Sequence, residues 1–335
     1  MIGVIGDLHL KESLSYADFI VDRRIAEREE ILDFIVDSFK DCKYIVFLGD
    51  NLHLKNNPSE VNRKFVELVE RFSDKEVFII VGNHEKRGDG KTAIDFLAEV
   101  KKPNWHIFTK PGTFPLPGLK LDFLPFMTKH ELKVETTKEA SAEIMERLHK
   151  DLRGDILFTH HMVSDTTTFS ELADEPVLPK KELEEYYSLI LAGHIHKSGR
   201  FGRTILCGSV FTDTVNENGK KIWKIKEDRT VEEIPLPGRE IHKVADPTVS
   251  VLAVIPKESI VKIVLTDKNI NAEEIRKEAE RFDAHLIVED YPHERKKMHI
   301  EGGAMDFSIE NLLSMYSKER DVPLEKLRKG LELIR

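Results

Sequence analysis

Apolar residues in the first part of the chain fall into short continuous runs, each ending close to Gly, Asp, Asn or His. The runs are IGVIG, YIVFLG, VFIIVG, DILFT, SLILAG and TILCG. Short runs of Val, Ile, Leu and Phe bounded by turn residues are typical of strands buried on both faces. Helical stripes lie between them, formed by Val61, Phe65, Leu68 and Phe72 and by Ala140, Ile144, Leu148 and Leu152. The alternation of strands and helices predicts an α/β fold.

The pattern changes further along the chain. The segment Pro235–Thr248 is rich in proline and polar residues, which predicts a linker. Beyond it, VKIVLT and AHLIVE predict strands. The segment NAEEIRKEAERF between them predicts a helix with Asn271 as its N-cap and Glu274 three residues further on. We therefore predict a first domain over residues 1–238 and a small α/β domain over residues 239–305.

Two amphipathic stripes follow in residues 306–335. They consist of Ile309, Leu312, Leu313 and Tyr316, and of Leu324, Leu327, Leu331 and Ile334. Ser308 and Pro323 are suited to the first turns of the corresponding helices. We predict two C-terminal helices. They either pack on the chain's own core or dock on a partner, because an amphipathic stripe fits both.

The composition is that of an ordinary soluble protein of 335 residues, with 40% hydrophobic and 33% charged residues. No apolar run approaches the roughly 18 residues needed to span a bilayer. The opening segment, MIGVIGDLHLKES, predicts a strand followed by polar residues rather than a signal peptide. Cys42 and Cys207 lie far apart in sequence and suit a reducing compartment, so we expect a cytoplasmic protein.

The formal net charge of −9 argues against a general polyanion-binding surface. Phosphate backbones are usually bound by an excess of Lys and Arg. Bound divalent cations supply positive charge that a composition count does not include, and local basic patches can exist on a protein whose net charge is negative. The net charge therefore makes nucleic acid a less favoured ligand without excluding it.

Side chains that bind metals follow five of the apolar runs. They are Asp7 and His9 after the first, Asp50 after the second, Asn83 and His84 after the third, His160 after the fourth, and His194 and His196 after the fifth. Each motif alone is explained better by an ordinary turn. Five in order, each after a buried strand, predict one shared metal site, because ligands bind beyond the carboxyl ends of strands in α/β sheets.

The chemistry of these residues narrows the choice of metal. Carboxylates, an amide oxygen and several imidazoles, without cysteine, suit Mn²⁺, Fe²⁺ or Zn²⁺. Even seven of these eight residues would be too many donors for one tetrahedral centre. They fit two ions that share one carboxylate, an arrangement that stabilises the attacking and leaving oxygens in a displacement at phosphorus.

The motifs GDLHL, GDNLH and GNHE, the first histidine of FTHH, and GHIH together resemble the five motifs of the calcineurin-like metallophosphoesterases. The resemblance extends from Met1 to about Lys226. It implies a four-layer fold of two mixed sheets flanked by helices. It also implies one ion held by Asp7, His9, Asp50 and His196, and a second held by Asp50, Asn83, His160 and His194. His84 is implied as the catalytic residue that stabilises the developing charge or protonates the leaving oxygen.

Further features resemble the Mre11/SbcD nucleases within that family. His53 stands three residues after Asp50, as in the Gly-Asp-x-Phe-His motif whose histidine handles the DNA phosphate. The small α/β domain resembles their capping domain, and residues 306–335 resemble the segment that binds a Rad50/SbcC-type ATPase. The chain departs from the pattern at Leu52, where Phe is usual, and at His161, where Gln is common. Its compact length most resembles the phage recombination nuclease subunits.

Our leading hypothesis is a Mn²⁺-dependent DNA nuclease with two divalent ions, Fe²⁺ or Zn²⁺ being alternatives. It would act on DNA as a homodimer that forms a heterotetramer with the ATPase. We expect it in the host cytoplasm if it is encoded by a phage, and we expect no membrane association. The alternative is a stand-alone phosphodiesterase for cyclic nucleotides or other small esters. A metal-binding scaffold without catalysis is a third hypothesis, which predicts eroded motifs. The loop of residues 162–181 either overhangs the cleft or is a surface excursion. The other histidines, including His161, are interpreted as structural.

Overall fold

The computed structural model describes residues 1–11, 21–87, 90–100, 102–152, 154–166, 175–212 and 219–290. The strands in these residues are β1 (Ile2–Ile5), β2 (Tyr44–Phe47), β3 (Glu76–Ile80), β4 (Trp105–Phe108), β5 (Gly112–Leu116), β6 (Leu119–Leu124), β7 (Ile156–Thr159), β8 (Met162–Val163), β9 (Val177–Leu178), β10 (Leu189–Ala192), β11 (Gly199–Phe201), β12 (Thr204–Leu206), β13 (Lys221–Ile225), β14 (Val231–Pro235), β15 (Ile241–Ala245), β16 (Ile260–Leu265) and β17 (Ala284–Glu289). The helices are α1 (Val21–Ser38), α2 (Ser59–Glu70), α3 (Leu97–Val100), α4 (Lys129–Leu132), α5 (Thr137–Asp151), α6 (Lys180–Tyr186), α7 (Val249–Ala253) and α8 (Ala272–Ala279).

Two six-stranded mixed sheets form the centre of the described part of the chain. The first has the order β14-β13-β1-β2-β3-β4, and the second the order β11-β12-β10-β7-β6-β5. Strands β1 to β4 are parallel, as are β6, β7, β10 and β12. The pairs β1–β13, β13–β14, β11–β12 and β5–β6 are antiparallel. The predicted α/β class is confirmed. The predicted strands are also present.

Alternating side chains of these strands face two different cores. Val4, Val46 and Phe158 belong to a core that draws on both sheets, whereas Ile5 and Phe47 belong to one shared with α1 and α2. A third core joins the second sheet to α5 and α6. The order helix, sheet, sheet, helix gives the four layers that the sequence resemblance implies, and both faces of each sheet are covered.

Several helices begin at residues whose side chains cap the first turn. In α5, the Thr136 side chain accepts a hydrogen bond from the Glu139 N–H, and the Glu139 carboxylate accepts one from the Thr136 N–H. Asn271 caps α8 in the same position relative to Glu274, as predicted. The stripe residues Phe72 and Leu152 lie just beyond the ends of α2 and α5, although both are buried.

A separate three-stranded parallel sheet, β15-β16-β17, packs with α7 and α8 around its own apolar core. The prediction of a linker over Pro235–Thr248 is wrong in part, because β15 lies inside it. The main chain of β15 pairs with β16, and pairing of this kind depends little on the polar side chains that suggested a linker. Residues 291–305 of the predicted small domain and the predicted helices in 306–335 lie outside the described residues. In the described part of the chain, no helix is long and apolar enough to cross a membrane.

Candidate metal centre

The predicted ligands lie where the carboxyl ends of the two sheets meet. Strands β1, β2 and β3 supply one side, and β7 and β10 the other. The loops after β1 and β2 are joined by a hydrogen bond from the His9 N–H to the Asp50 carbonyl at 2.8 Å. The sheets are joined by the His194 N–H, which donates to Asp7 Oδ1 at 3.1 Å. A site between the sheets therefore takes side chains from both.

One cluster consists of Asp7, His9, Asp50 and His196. His9 Nε2 lies 2.9 Å from His196 Nε2 and 3.6 Å from Asp50 Oδ2. Donor atoms of Asp7, His9 and His196 all lie within 4.8 Å of one another, a spacing that one ion could bridge. Asp7, His9 and Asp50 are buried, so their polar atoms face each other rather than water.

The second cluster consists of Asn83, His160 and His194, again with Asp50. Asn83 Oδ1 lies 3.2 Å from His160 Nε2 and 3.1 Å from His194 Nδ1. His160 Nε2 lies 3.3 Å from Asp50 Oδ2. Asp50 thus contacts members of both clusters, which is the position of a carboxylate shared by two ions.

The backbone at this centre is held in uncommon conformations. His9, Asp50 and His194 have φ values of 45°, 47° and 73°, in the left-handed region that non-glycine residues rarely occupy. Gly82 is required by close approach, because a Cβ there would lie 2.1 Å from Asp50 Oδ1. Such strain persists where the surrounding structure enforces it, and it clusters at functional sites.

The polar atoms of the centre fit a divalent cation. Asp7 Oδ2 is buried without a hydrogen-bond partner among the described residues. Asn83 Oδ1 lies 3.0 Å from Asp50 Oδ2, and two oxygens this close repel each other. A cation bound between them removes the repulsion. Rotation of the Asn83 amide also removes it, because the NH₂ group then donates to Asp50. The His160 Nδ1–H donates to the Leu48 carbonyl at 2.6 Å, which turns Nε2 of the same ring towards Asp50.

Electrostatics favour added positive charge at the same place. Burial opposes protonation of His160, but the neighbouring Asp50 and Asp7 carboxylates outweigh it and raise the pKa of His160 to about 10. Burial is the largest cause that raises the pKa of Asp7, whose charge has little solvation. The metal-free cluster therefore binds a proton tightly, as expected for acidic and imidazole groups arranged to hold a cation.

The two residues predicted to act on the substrate lie beside the first cluster. His53 Nδ1 is 3.3 Å from His9 Nδ1, and the ring of His53 stacks on that of His84 with centroids 5.2 Å apart. The His84 Nδ1–H donates to the His53 carbonyl at 2.8 Å. His53 therefore contacts His9 and His84 and does more than pack on its own loop.

Sequence reasoning assigned no role to Glu85, which is fully buried within the GNHE motif. Its Oε1 accepts hydrogen bonds from the Asn51 and Leu52 N–H groups, and its Oε2 accepts one from Gly82. Burial, together with the nearby Asp50, raises the pKa of Glu85 to about 7. The sequence feature that could have indicated Glu85 is a carboxylate directly after His84. Glu85 joins the loops after β2 and β3 through these hydrogen bonds.

Two other residues at the centre were not predicted. His161, interpreted as structural, accepts the Met127 N–H at 3.1 Å and stacks on Phe126, which also stacks on His194. It therefore supports the wall of the second cluster. Glu175 Oε2 lies 2.9 Å from His194 Nε2. No sequence signal marks Glu175, because it sits in a polar loop remote from every motif.

Comparison with known proteins assigns the class. A model of the calcineurin-like phosphoesterase family matches residues 1–198, and the chain belongs to that family. It is therefore a phosphoester hydrolase of the metallophosphoesterase type, a class that uses divalent metal ions. A search of curated protein sequences gives no match.

Solved structures are similar at a low level. The protein TT1561 of Thermus thermophilus is 12% identical, with 70% of this chain and 97% of that one covered and a TM-score of 0.42. A single mutant of Vps29 from Entamoeba histolytica is 13% identical, with 70% and 99% covered and a TM-score of 0.31. The family match carries the assignment without them.

Proposed function

We propose that this chain is a metal-dependent nuclease that hydrolyses phosphodiester bonds in DNA, of the Mre11/SbcD type. In this proposal Asp7, His9, Asp50 and His196 hold one divalent ion, and Asp50, Asn83, His160 and His194 hold the second. Mn²⁺ is the preferred metal, with Fe²⁺ or Zn²⁺ as alternatives. His84 and His53 act on the substrate.

The observation that carries the proposal is the position of His53. It is the residue by which the sequence resembles the nucleases rather than the family at large. It lies against His9 and stacks on His84, at the edge of the metal cluster. An imidazole beside the ions and outside both ligand sets can donate a hydrogen bond to a phosphate oxygen of a bound strand.

Local charge supports a polyanionic substrate in spite of the net charge. Cationic residues closely follow four of the site motifs: Lys11, Lys55, Arg87 and Lys197. Lys86, next to Arg87, is buried and its Nζ lies 2.7 Å from Glu131 Oε1, so its charge is already paired. Lys55 and Lys197 are exposed, and the Arg87 Nε–H donates to the Lys55 carbonyl at 2.9 Å, which brings two of these segments together. Lysines and arginines at the rim of a site raise the local concentration of phosphate groups even on an acidic protein.

The chemistry follows from the arrangement. When bound, two divalent ions activate water as the nucleophile and neutralise charge on the phosphate. Because the Nδ1–H of His84 is held by the His53 carbonyl, Nε2 is the atom of His84 that can exchange a proton with the leaving oxygen. The Asp50 carboxylate is fixed by the His84 backbone N–H, which donates to Oδ1 at 2.9 Å.

We further propose that the nuclease works as a homodimer with a Rad50/SbcC-type ATPase, and that the small α/β domain caps the DNA channel. The sequence resemblance supports this part. The segment proposed to bind the ATPase, residues 306–335, lies outside the described residues. Deletion of 307–335 should abolish co-purification with the ATPase and leave Mn²⁺-dependent hydrolysis by the remaining chain intact.

The experiment that tests substrate class uses the purified full chain with Mn²⁺. Duplex DNA and a small phosphodiester are supplied separately, with and without the ATPase. We expect DNA degradation, and we expect His53→Ala to reduce it at least about tenfold more than it reduces small-ester turnover, because His53 is proposed to bind a phosphate oxygen of the DNA strand. Turnover of small esters with intact DNA under all conditions would establish the stand-alone phosphodiesterase instead.

A further inference from the structure

Glu175 contacts the outer edge of the second cluster. Its Oε2 lies 2.9 Å from His194 Nε2, while Nδ1 on the other side of the same ring lies 3.1 Å from Asn83 Oδ1. An ionised carboxylate only accepts hydrogen bonds. The short contact therefore places the proton of the neutral imidazole on Nε2, and Nδ1 keeps its lone pair towards Asn83.

The position of Glu175 is fixed by main-chain contacts close by. Two residues further on, β9 pairs with β8, which directly follows His160 and His161. The Val177 N–H donates to Ser141 Oγ at 3.0 Å, so this end of the loop is also tied to α5. Pro176 restricts the backbone between Glu175 and β9. The backbone that carries Glu175 is thus held next to the cluster.

His160 provides a parallel within the same cluster. Its outer nitrogen is Nδ1, which donates to the Leu48 carbonyl at 2.6 Å, and its inner nitrogen is Nε2. In His194 the order is reversed, with Nε2 outside and Nδ1 inside. Each ring is therefore held from outside by one acceptor. The acceptor for His194 is a charged side chain instead of a carbonyl.

We propose that Glu175 is a positioning residue of the metal centre. It accepts the Nε2–H of His194 and holds the imidazole in the tautomer and rotation that present Nδ1 to a divalent ion. Its negative charge also makes Nδ1 a stronger ligand. Partners of this type at metal sites change metal affinity by about 10- to 100-fold when they are removed. The proposal rests on the proposed function, in which His194 is a ligand of the second ion.

The test measures Mn²⁺ binding to the metal-free full chain by titration calorimetry. Glu175→Ala removes the acceptor, and we expect it to weaken one of the two Mn²⁺ sites by about 10- to 100-fold and to leave the other within about twofold. Glu175→Gln keeps a neutral acceptor and should give an intermediate value. The exposed Glu185 on α6 offers a matched control, and Glu185→Gln should bind as the wild type does.

Two further measurements separate positioning from a general structural role. Long-range ¹H–¹⁵N spectra should place the proton of His194 on Nε2 in the wild type and give a mixture of tautomers in Glu175→Ala. Thermal unfolding in EDTA should be the same for Glu175→Ala and wild type, within the effect of the control.

The outcomes distinguish this proposal from the function on which it rests. Unchanged Mn²⁺ affinity in Glu175→Ala, combined with loss of one site in His194→Ala, would overturn the role of Glu175 and leave the metal centre intact. A wild-type chain that binds no Mn²⁺ would overturn both. A lower melting temperature of Glu175→Ala in EDTA, with an unaltered His194 tautomer, would make Glu175 a structural residue only.

Discussion

The metal centre and the small α/β domain bury opposite kinds of side chain. In the centre, Asp7, Asp50 and His160 are almost inaccessible to solvent. The core of the small domain, as far as it is described, consists of apolar residues: Leu252, Ile255, Val261, Ile263, Leu265, Ile275, Ala279 and Phe282. The carboxylates of the small domain lie nearer the surface, where they accept hydrogen bonds. Asp283, for example, accepts from Arg23 Nη1 at 2.7 Å and Arg239 Nη1 at 3.1 Å.

The difference separates what is buried for stability from what is buried for chemistry. Apolar burial contributes about 25 cal/mol per Å² to folding, so the core of the small domain stabilises it directly. Burying an ionised group costs free energy unless a partner or a metal compensates for its lost hydration. The centre adds backbone strain at His9, Asp50 and His194. A folded chain retains such a cluster only where the cluster does something else.

The largest expected effect is that of Asp50→Ala, which removes the carboxylate common to both clusters. We expect hydrolysis to fall by at least about 10⁴-fold, because neither ion keeps its full ligand set. The stabilisation of the wild type by Mn²⁺, about 2.7 kcal/mol at a metal concentration of 100 Kd, should also disappear in thermal unfolding with and without Mn²⁺. Asp37→Ala, at an exposed position on α1, is the control. Retained activity would show that the ions do not share Asp50.

The variant His84→Ala tests whether metal binding and proton transfer at the centre depend on different residues. His84 stands outside both proposed ligand sets, so we expect calorimetry to show two Mn²⁺ sites with near wild-type affinity. Hydrolysis should fall by about 10²- to 10⁴-fold, the usual contribution of a general acid. Loss of a Mn²⁺ site in this variant would instead identify His84 as a ligand.

Ile263→Ala tests the other side of the comparison. Ile263 is fully buried in the core of the small domain. Truncation should reduce the free energy of unfolding by about 2 to 5 kcal/mol, through lost apolar burial and the cavity left behind. Urea unfolding of the metal-free protein measures this, and Mn²⁺ affinity should not change. A change of similar size in metal binding would mean that the two regions are energetically coupled.

The last two predictions concern pH and carboxylates in the two regions. Burial raises the pKa of Glu85 from its ordinary 4.5 to about 7. Its protonated form therefore stabilises the folded, metal-free chain fully below pH 4.5, and this contribution is lost as the pH rises through 7. We expect wild type to lose on the order of 3 kcal/mol across this interval, and Glu85→Gln to lack that loss in urea unfolding series in EDTA.

Asp246 in the small domain should give the opposite slope. Hydrogen bonds from Thr266 and the Asp267 N–H hold the pKa of Asp246 below its ordinary 3.8. Its ionised form stabilises the fold above that value, and the contribution is lost on acidification. Asp246→Asn should therefore reduce the sensitivity to acid, and leave the interval from pH 4.5 to 7 unaltered. The same slope for both carboxylates would contradict the contrast drawn between the two regions.

Much of the fold was predictable because its signals are local. A run such as YIVFLG indicates a buried strand and the position where that strand ends. Thr136 and Asn271 mark the starts of helices, because each side chain accepts a hydrogen bond from the residue three positions further on. Strand β15 was missed because its pairing is made by the main chain with β16, not by a pattern of its own side chains. Glu175 was missed because its partner, His194, comes from a different strand end.

The sequence by itself determined the α/β class and the family. It also determined which carboxylates, amide and imidazoles could bind metal, because each of these side chains follows an apolar run. Only the tertiary structure decided which sheet supplies each ligand and that His53 reaches His9. It also decided which ring nitrogen of His160 and His194 faces inward. These are properties of distances between residues far apart in the chain, which depend on how the layers pack and which no local pattern encodes.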